Sequence, residues 1–205
     1  MSFAPPTPRP SIAEVFTRQG FVIVNRLAPE AVLSKARDHL AARAATGQVI
    51  TDDEQVPGTP AVYGGVVLDA LMENLRPTIE HCTGLALFPT YSYGRIYRTG
   101  DVLARHIDRA ACEISVSLNL GQTPDEPWPL HLQWDDREIP VKLRPGDALL
   151  YRGIELPHWR EAYAGESLTQ VFLHYVDRDG PFVDEKFDRR PALAMPASSR
   201  APAKT

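Results

Sequence analysis

A histidine and an aspartate stand two residues apart, at His106 and Asp108, in the segment LARHIDRAACEISVSLNL. Side chains two residues apart on a β-strand point to the same face, so an imidazole nitrogen and a carboxylate oxygen can be directed at one point. A further histidine, His158, follows about 50 residues later in ELPHWREAY. Two histidines and one carboxylate on converging strands form the facial triad of a non-haem Fe(II) centre, which leaves coordination positions open for substrate and O₂. The spacing therefore predicts a metal site at His106, Asp108 and His158.

The chain around these residues is rich in short β-branched and aromatic segments. After residue 85, six or more such segments occur within about 95 residues, and Gly, Pro and Asp separate them. This texture is typical of an antiparallel sandwich or barrel. The segment LRPGDALLY is a turn that leads into a buried strand shortly before His158. We therefore predict a β core over about residues 85–178 that brings the three metal-site residues together.

The N-terminal part of the chain has helical rather than β patterning. Apolar residues recur at helical spacing in APEAVLSKARDHLAARAA and in VVLDALMENLRPTIEHCTG, where Pro77 predicts a break or a kink. Ser11 and Glu14 form a capping-box pattern ahead of a first short helix, and FVIVNRL reads as a strand. Residues 47–65 read as a long loop of the kind that often covers a binding site. The predicted fold class is α+β, with N-terminal helices packed on an antiparallel β core.

Length and charge limit the class of protein. The 205 residues, with 43% apolar residues and a net charge of -4, indicate one soluble domain. We place this domain at residues 11–187, between a flexible lead at 1–10 and a disordered tail at 188–205. The acidic balance argues against a nucleic-acid partner, and no segment resembles a membrane span or a signal peptide. We expect a cytoplasmic protein that acts on a small molecule or a peptide, and the sequence leaves its oligomeric state open.

Residues from about 88 to 176 resemble the 2-oxoglutarate- and Fe(II)-dependent dioxygenases, in particular the prolyl-hydroxylase-like group. The H-x-D…H pattern with GDALLY before the distal histidine carries the resemblance, and FTRQGFVIVNRLAPEAV is similar to the helix–strand–helix that precedes the barrel in that family. The resemblance implies a double-stranded β-helix, or jelly roll. It also implies Fe(II), 2-oxoglutarate as co-substrate, O₂ and hydroxylation with release of succinate and CO₂, and it allows ascorbate as a supporting reductant.

The sequence departs from the family at the cation that holds the far carboxylate of 2-oxoglutarate. The family places Arg or Lys nine to eleven residues after the distal histidine, but here those positions are Ser167, Leu168 and Thr169. A carboxylate in a buried pocket needs a charged or strongly hydrogen-bonding partner. The resemblance therefore requires a replacement for the missing cation.

Three residues could replace it. Arg160 lies two residues after the distal histidine and shares its strand face if the strand continues. Arg95 shares a strand face with Tyr97, which stands nine residues before His106 and resembles the tyrosine that touches the co-substrate in prolyl hydroxylases. Gln170 could donate a neutral hydrogen bond. We therefore regard Arg95, Tyr97, Arg160 and Gln170 as candidate co-substrate residues.

The sequence leaves two other functions open, and the missing cation motivates the first of them. The first is a metal-dependent dioxygenase or cupin-like enzyme that does not use 2-oxoglutarate. The second is a non-catalytic barrel that binds a metal or a metabolite. The complete His-x-Asp…His pattern favours an enzyme, because a non-catalytic barrel has no need of three metal ligands.

Overall fold

A computed structural model gives the structure of the protein and describes residues 9–194. Within that range the N-terminal half forms three α-helices, α1 (Ile12–Gln19), α2 (Glu30–Ala45) and α3 (Val66–Thr83). Strand β1 (Phe21–Val24) lies between the first two helices, and β2 (Ala61–Tyr63) precedes the third. The three predicted helices and the first predicted strand are confirmed.

Local sequence signals fix the ends of α1. The predicted capping box is present, because the Glu14 amide donates to Ser11 Oγ at 3.2 Å and the Ser11 amide donates to Glu14 Oε2 at 2.7 Å. The helix ends at Gly20, whose φ of +78° is a left-handed conformation that glycine adopts without strain. Helix α3 continues through Pro77, so a break at that residue was the wrong alternative.

Eight strands follow the helices and make up the predicted β core. They are β3 (Leu87–Arg98), β4 (Leu103–His106), β5 (Ile114–Thr123), β6 (Leu130–Trp134), β7 (Arg137–Val141), β8 (Ala148–Tyr151), β9 (His158–Arg160) and β10 (Ser167–Asp177). With β1 and β2 they form two antiparallel sheets. The larger sheet has the order β1-β8-β5-β10-β3-β2, and the smaller has the order β4-β9-β6-β7. The predicted α+β fold with a double-stranded β-helix is confirmed.

The alternation of side chains along the larger sheet separates two cores. One face packs on the helices, where Val116, Leu118, Leu150 and Val171 meet residues such as Leu40. The other face points into the barrel, where Leu149 and Phe172 meet apolar residues of the smaller sheet. Period-2 alternation places successive residues on opposite faces. Polar side chains at inward positions of these strands therefore lie inside the barrel.

Two segments that the sequence left irregular have defined positions. Strand β2 and Ile50 pair within the predicted loop 47–65, with β2 bound to β3 along its length. Asp188, on the tail side of the predicted boundary, contacts Tyr63 and Arg109. The domain limits stay predictions, and residues 1–8 and 195–205 of the predicted lead and tail lie outside the described residues. Over residues 9–194, the helices are all too short or too polar to cross a membrane.

Candidate metal centre

The three predicted metal-site residues converge between β4, β9 and the segment after β4. His106 ends β4 and lies directly opposite His158, the first residue of β9, in the antiparallel pair. Asp108 lies beyond the end of β4, so strand alternation alone does not position it. Its backbone amide instead donates to the Gly153 carbonyl at 2.9 Å. The segment before β9 therefore holds the carboxylate between the two histidines.

The distances suit a single metal ion. Asp108 Oδ1 lies 3.6 Å from His106 Nε2 and 3.6 Å from His158 Nε2. The donor atoms of all three residues lie within 4.8 Å of one another. Ligand atoms that each lie about 2.1 Å from one ion are necessarily within about 4.2 Å of each other. Small side-chain adjustments would therefore bring these atoms around a first-row divalent ion.

Hydrogen bonds orient both imidazoles for binding through Nε2. His106 Nδ1 lies 2.8 Å from the Ala104 carbonyl, and His158 Nδ1 lies 2.9 Å from the Leu156 carbonyl. A carbonyl only accepts, so each Nδ1 carries the proton and each neutral ring keeps its Nε2 lone pair free. Histidines that bind metals usually donate their second nitrogen in this way. The site thus has the donor chemistry of a metal centre.

Burial and mutual charge set the protonation of the ligands. Burial raises the pKa of Asp108, but the surrounding imidazoles of His106, His158 and His174 lower it to about 2. Burial lowers the pKa of His158 despite the nearby carboxylate. Burial also lowers the pKa of His106, but the neighbouring Asp108 carboxylate and the Ala104 carbonyl outweigh that effect and raise it. Asp108 is therefore anionic and His158 neutral at neutral pH, as metal binding requires.

A second group of donors, which the sequence analysis did not assign, lies behind Asp108. Asp108, Cys112 and His174 also present donor atoms within 4.8 Å of one another. Burial, followed by the charge of Asp108, raises the pKa of the Cys112 thiol well above its ordinary value, and His174 Nδ1 is 3.0 Å from Ser115 Oγ. Metals bind the thiolate rather than the thiol. These residues are better suited to supporting Asp108 than to holding an ion.

Ser115 and Gly153 position the second carboxylate oxygen. Ser115 Oγ donates to Asp108 Oδ2 at 2.9 Å. A Cβ atom on Gly153 would lie 2.2 Å from the same oxygen and 2.5 Å from the Cys112 carbonyl. Asp108 therefore fits only because residue 153 has no side chain. A lone glycine in the sequence gives no sign of this contact.

Arg160 extends into the barrel from the strand that begins with His158. It is 3% exposed and donates to the Trp128 carbonyl at 2.7 Å and to Gln170 Oε1 at 2.8 Å. Across residues 9–194, it forms no ion pair with an acidic side chain. Burial lowers its pKa to about 10, which still leaves the guanidinium charged at neutral pH. The barrel thus contains a buried cation that no acidic side chain of residues 9–194 contacts.

Arg95 also points into the barrel but has an acidic partner. It is 2% exposed, it forms an ion pair with Asp53 from the 47–65 loop, and its Nη1 lies 3.4 Å from the Tyr97 hydroxyl. Tyr97 lies between the two arginines, with its ring centroid 5.5 Å from Arg95 Cζ and 5.8 Å from Arg160 Cζ. The structure therefore brings Arg95, Tyr97, Arg160 and Gln170 together in one interior. Their role as co-substrate ligands stays a prediction.

Solved structures with the same arrangement of strands are known. The chain is 19% identical to a prolyl-4-hydroxylase from Pseudomonas putida, over 82% of this chain and 97% of that one, with a TM-score of 0.67. It is 13% identical to SnoN, a non-haem α-ketoglutarate-dependent epimerase from nogalamycin biosynthesis, over 93% and 97% of the two chains, with a TM-score of 0.71. It is also 14% identical to HygX from Streptomyces hygroscopicus, solved with nickel and 2-oxoglutarate, over 80% and 85%, with a TM-score of 0.59.

The chain has the fold of the 2-oxoglutarate-dependent oxygenases. No sequence-family model matches it, and no curated protein sequence does. The structural likeness confirms the resemblance that the H-x-D…H pattern indicated, at the level of the fold.

Within this oxygenase fold, the unusual feature is the position of the buried cation. Leu168, at a position where the resemblance calls for Arg or Lys, packs in the apolar part of the interior opposite Tyr97. Instead, Arg160 on β9 donates a hydrogen bond to Gln170, which lies with Leu168 on β10. A guanidinium from one strand thus lies beside the strand on which the family places its cation.

Proposed function

We propose that the protein is a non-haem Fe(II)- and 2-oxoglutarate-dependent oxygenase. It hydroxylates a small molecule or a peptide side chain and releases succinate and CO₂. The observation that carries this proposal is Arg160, a charged and buried guanidinium without an acidic partner among the described residues, in the same barrel interior as the His106–Asp108–His158 site.

A buried charge without a counter-ion is costly, because protein does not replace the solvation that water provides. Neutral carbonyl oxygens from Trp128 and Gln170 satisfy only part of the guanidinium. A carboxylate from a bound ligand would complete both its charge and its hydrogen bonding. Arg160 therefore supports binding of an anion inside the barrel.

2-Oxoglutarate matches the spacing of the two sites. His158 and Arg160 lie two residues apart on β9, which corresponds to about 6.6 Å along a strand. A five-carbon dicarboxylate can span that length, with its 2-oxo acid end at the metal and its far carboxylate at Arg160. HygX, one of the structurally similar proteins, was solved with a metal and 2-oxoglutarate bound.

The metal and co-substrate, when bound, supply O₂ activation coupled to oxidative loss of CO₂. The chain's own residues position the bound groups and exclude water from the barrel interior. Gln170 Oε1 accepts from Arg160, and Gln170 Nε2 donates to Ser117 Oγ, so a buried network holds the guanidinium in place. His106, Asp108 and His158 would hold Fe(II) on one side and leave the opposite side for the co-substrate and O₂.

The complete His-x-Asp…His pattern weighs against a non-catalytic barrel, one of the two alternatives that the sequence left open. The other, an oxygenase without 2-oxoglutarate, was motivated by the missing cation at residues 167–169. Arg160 supplies a cation in the same interior. We also propose, on the sequence grounds given above, a cytoplasmic location. The substrate classes are those of similar proteins, one solved with a peptide fragment and one with hygromycin B.

The test is an anaerobic titration of 2-oxoglutarate into the Mn(II)-loaded wild type, Arg160→Met and Arg105→Met. Arg105 is an exposed arginine on β4 next to His106 and serves as the matched control. Loss of a charge-assisted contact that leaves a buried partner charge costs about 2–5 kcal/mol, which is a loss of roughly 30- to several thousand-fold in affinity. We expect this loss in Arg160→Met alone, with its unfolding midpoint unchanged or raised.

Two results would oppose the proposal. Equal 2-oxoglutarate affinity in the wild type and Arg160→Met would remove Arg160 as the anchor. Absence of saturable binding below about 1 mM in the wild type, a binding free energy weaker than about -4 kcal/mol, would remove 2-oxoglutarate as the co-substrate.

A further inference from the structure

The segment from Thr51 to Gly58 inserts two side chains toward the barrel interior. Val56 is 2% exposed and packs in the interior apolar core, and Asp53 reaches β3. Hydrogen bonds close the segment on itself, from the Gly58 amide to the Thr51 carbonyl at 2.9 Å and from the Gln55 amide to Asp53 Oδ1 at 2.8 Å. Its neighbours Asp52 and Glu54 are exposed. The segment is a small surface loop that places one half-buried carboxylate against β3.

Asp53 occupies a site with the chemistry of a carboxylate-binding site. Its Oδ2 accepts from the Tyr93 hydroxyl at 2.5 Å and forms the ion pair with Arg95. Burial acts to lower the pKa of Arg95, but Tyr97, Tyr93 and Asp53 outweigh that effect, so the guanidinium is charged. A fixed cation and a phenol donor therefore converge on one oxygen.

Asp53 uses this site incompletely. One oxygen makes the contacts with Arg95 and Tyr93, while the other accepts from its own loop. Arg95 Nε is buried and has no hydrogen-bond partner within residues 9–194. Guanidinium groups bind carboxylates best through two parallel N–H donors. A free carboxylate, which no loop restrains, can use donors that Asp53 does not reach.

The site lies next to the proposed co-substrate position without coinciding with it. Arg95 and Arg160 lie near the same Tyr97 ring. Of these two arginines, Arg95 has an acidic partner and Arg160 has none among the described residues. If Arg160 holds the far carboxylate of 2-oxoglutarate, then Arg95 remains for a second anion in the same interior. An oxygenase of this kind binds one other organic molecule, which is its prime substrate.

We infer that Arg95 and Tyr93 bind a carboxylate group of the prime substrate, and that Asp53 occupies this site until the substrate displaces it. The inference rests on the proposed function, because it assigns the prime substrate of that reaction to the class of carboxylate-bearing molecules. Release of Asp53 would free residues 51–58, so occupancy of the site is coupled to the position of the loop.

The experiment uses acetate as the probe, at constant ionic strength, on protein loaded with Mn(II) and 2-oxoglutarate. Amide exchange of residues 51–58 and the acetate concentration at half-effect are measured. In the wild type we expect acetate to speed exchange in this segment, because it displaces Asp53. In Asp53→Asn we expect acetate to stabilise the protein, with a half-effect concentration at least about tenfold lower than in the wild type. The reason is that an internal competitor that fills about nine-tenths of the sites reduces the apparent affinity tenfold.

Two variants serve as controls. Asp52→Asn removes one negative charge from the adjacent exposed residue and should respond to acetate as the wild type does. Arg95→Gln should lose the acetate response. If Arg95→Gln does not fold, the comparison of Asp53→Asn with the wild type and Asp52→Asn still decides the matter.

Equal acetate response in Asp53→Asn and the wild type would overturn the inference. So would loss of 2-oxoglutarate binding in Arg95→Gln with full binding in Arg160→Met, because Arg95 would then be the co-substrate anchor. Failure of the proposed function is a different result, in which the Mn(II)-loaded wild type does not bind 2-oxoglutarate. Acetate titration of the Mn(II)-loaded protein without 2-oxoglutarate then tests the Arg95 site separately.

Discussion

Backbone carbonyls decide which imidazole nitrogens of His106 and His158 face the predicted metal position. Ala104 and Leu156 each stand two residues before a histidine, and each accepts from that histidine's Nδ1. The sequence predicted from residue types and spacing that His106, Asp108 and His158 form a metal site, and the structure brings them together. The sequence could not predict these tautomers, because any residue supplies a carbonyl and only the local backbone path directs it.

Gly153 is a residue whose role the sequence does not reveal. Its importance depends on the approach of Asp108, which is 45 residues earlier in the chain. Contacts between residues so far apart become visible only when the barrel closes. The same limitation applies to Ser115, whose hydroxyl donates to the same Asp108 carboxylate oxygen.

We predict that Gly153→Ala weakens metal binding about 10- to 100-fold, the range typical of disturbed supporting contacts around metal ligands. The added methyl would lie 2.2 Å from Asp108 Oδ2, so the carboxylate must move. Mn(II) affinity measured by calorimetry is the readout, and circular dichroism checks the fold. Gly165→Ala, a substitution at a glycine that approaches Tyr163 rather than the metal site, is the control. Wild-type metal affinity in Gly153→Ala would show that Asp108 does not need this space.

Among the sequence signals for secondary-structure elements, the alternation of side chains along strands was the most informative. It predicted that Arg160 shares an inward face with His158 and that Arg95 shares one with Tyr97, and all four side chains are buried or half-buried in the barrel. Strand β2 was missed, because three residues give no readable alternation and the strand exists through its pairing with β3. The position of Asp53 was also missed, because the contacts of a loop residue depend on the partners that the fold brings to it.

The close packing of α2 on β3 predicts the effect of substitutions at Gly94 and Leu40. A Cβ atom on Gly94 would lie 2.5 Å from Leu40 Cδ2, and Leu40 is 1% exposed. Gly94→Ala should therefore lower the free energy of unfolding by about 1–3 kcal/mol through overpacking. Leu40→Ala alone should cost about 2–5 kcal/mol through the cavity it leaves.

Urea denaturation of both single variants and the double variant measures the coupling between the two residues. The alanine methyl at residue 94 would fill part of the space that Leu40 vacates. We expect the double variant to be more stable than the sum of the single effects allows, by about 0.5–3 kcal/mol. Strict additivity would mean that the helix and strand do not meet at these residues.

The C-terminal part of the described chain connects regions that are distant in sequence across the whole molecule. Asp188 accepts from Arg109 Nη1 at 2.7 Å and from the Tyr63 hydroxyl. It therefore connects the segment around residue 188 to β2 and to the segment after Asp108. Composition predicted a disordered tail from residue 188 onward. Composition reports the average character of a segment, whereas one half-buried acid between an arginine and a tyrosine is a specific contact.

We predict that Asp188→Asn lowers the free energy of unfolding at pH 7 by about 1.5–3 kcal/mol, the range for hydrogen bonds to charged groups. Burial raises the pKa of Asp188, but hydrogen bonds from Arg109 and Tyr63 lower it below the ordinary 3.8. The folded state therefore holds the proton less well than the unfolded state. The stabilisation is present above about pH 4 and disappears as the pH falls through the lowered pKa.

Thermal or urea unfolding of Asp188→Asn across this pH range provides the check. The exposed Asp184→Asn is the control and should change stability by less than about 0.5 kcal/mol. A difference between Asp188→Asn and the wild type that stayed constant from pH 7 into the acid range below pH 4 would exclude the ion pair as its cause.

In the proposed function, one barrel interior holds a metal at His106, Asp108 and His158 and the far carboxylate of 2-oxoglutarate at Arg160. An anaerobic crystal structure with Mn(II) and 2-oxoglutarate tests it most directly, with anomalous scattering to locate the metal. We expect one Mn(II) ion bound by two Nε2 atoms and an Asp108 oxygen, and a carboxylate within hydrogen-bonding distance of the Arg160 guanidinium. A metal bound by other residues, or 2-oxoglutarate that leaves Arg160 without a carboxylate, would contradict it.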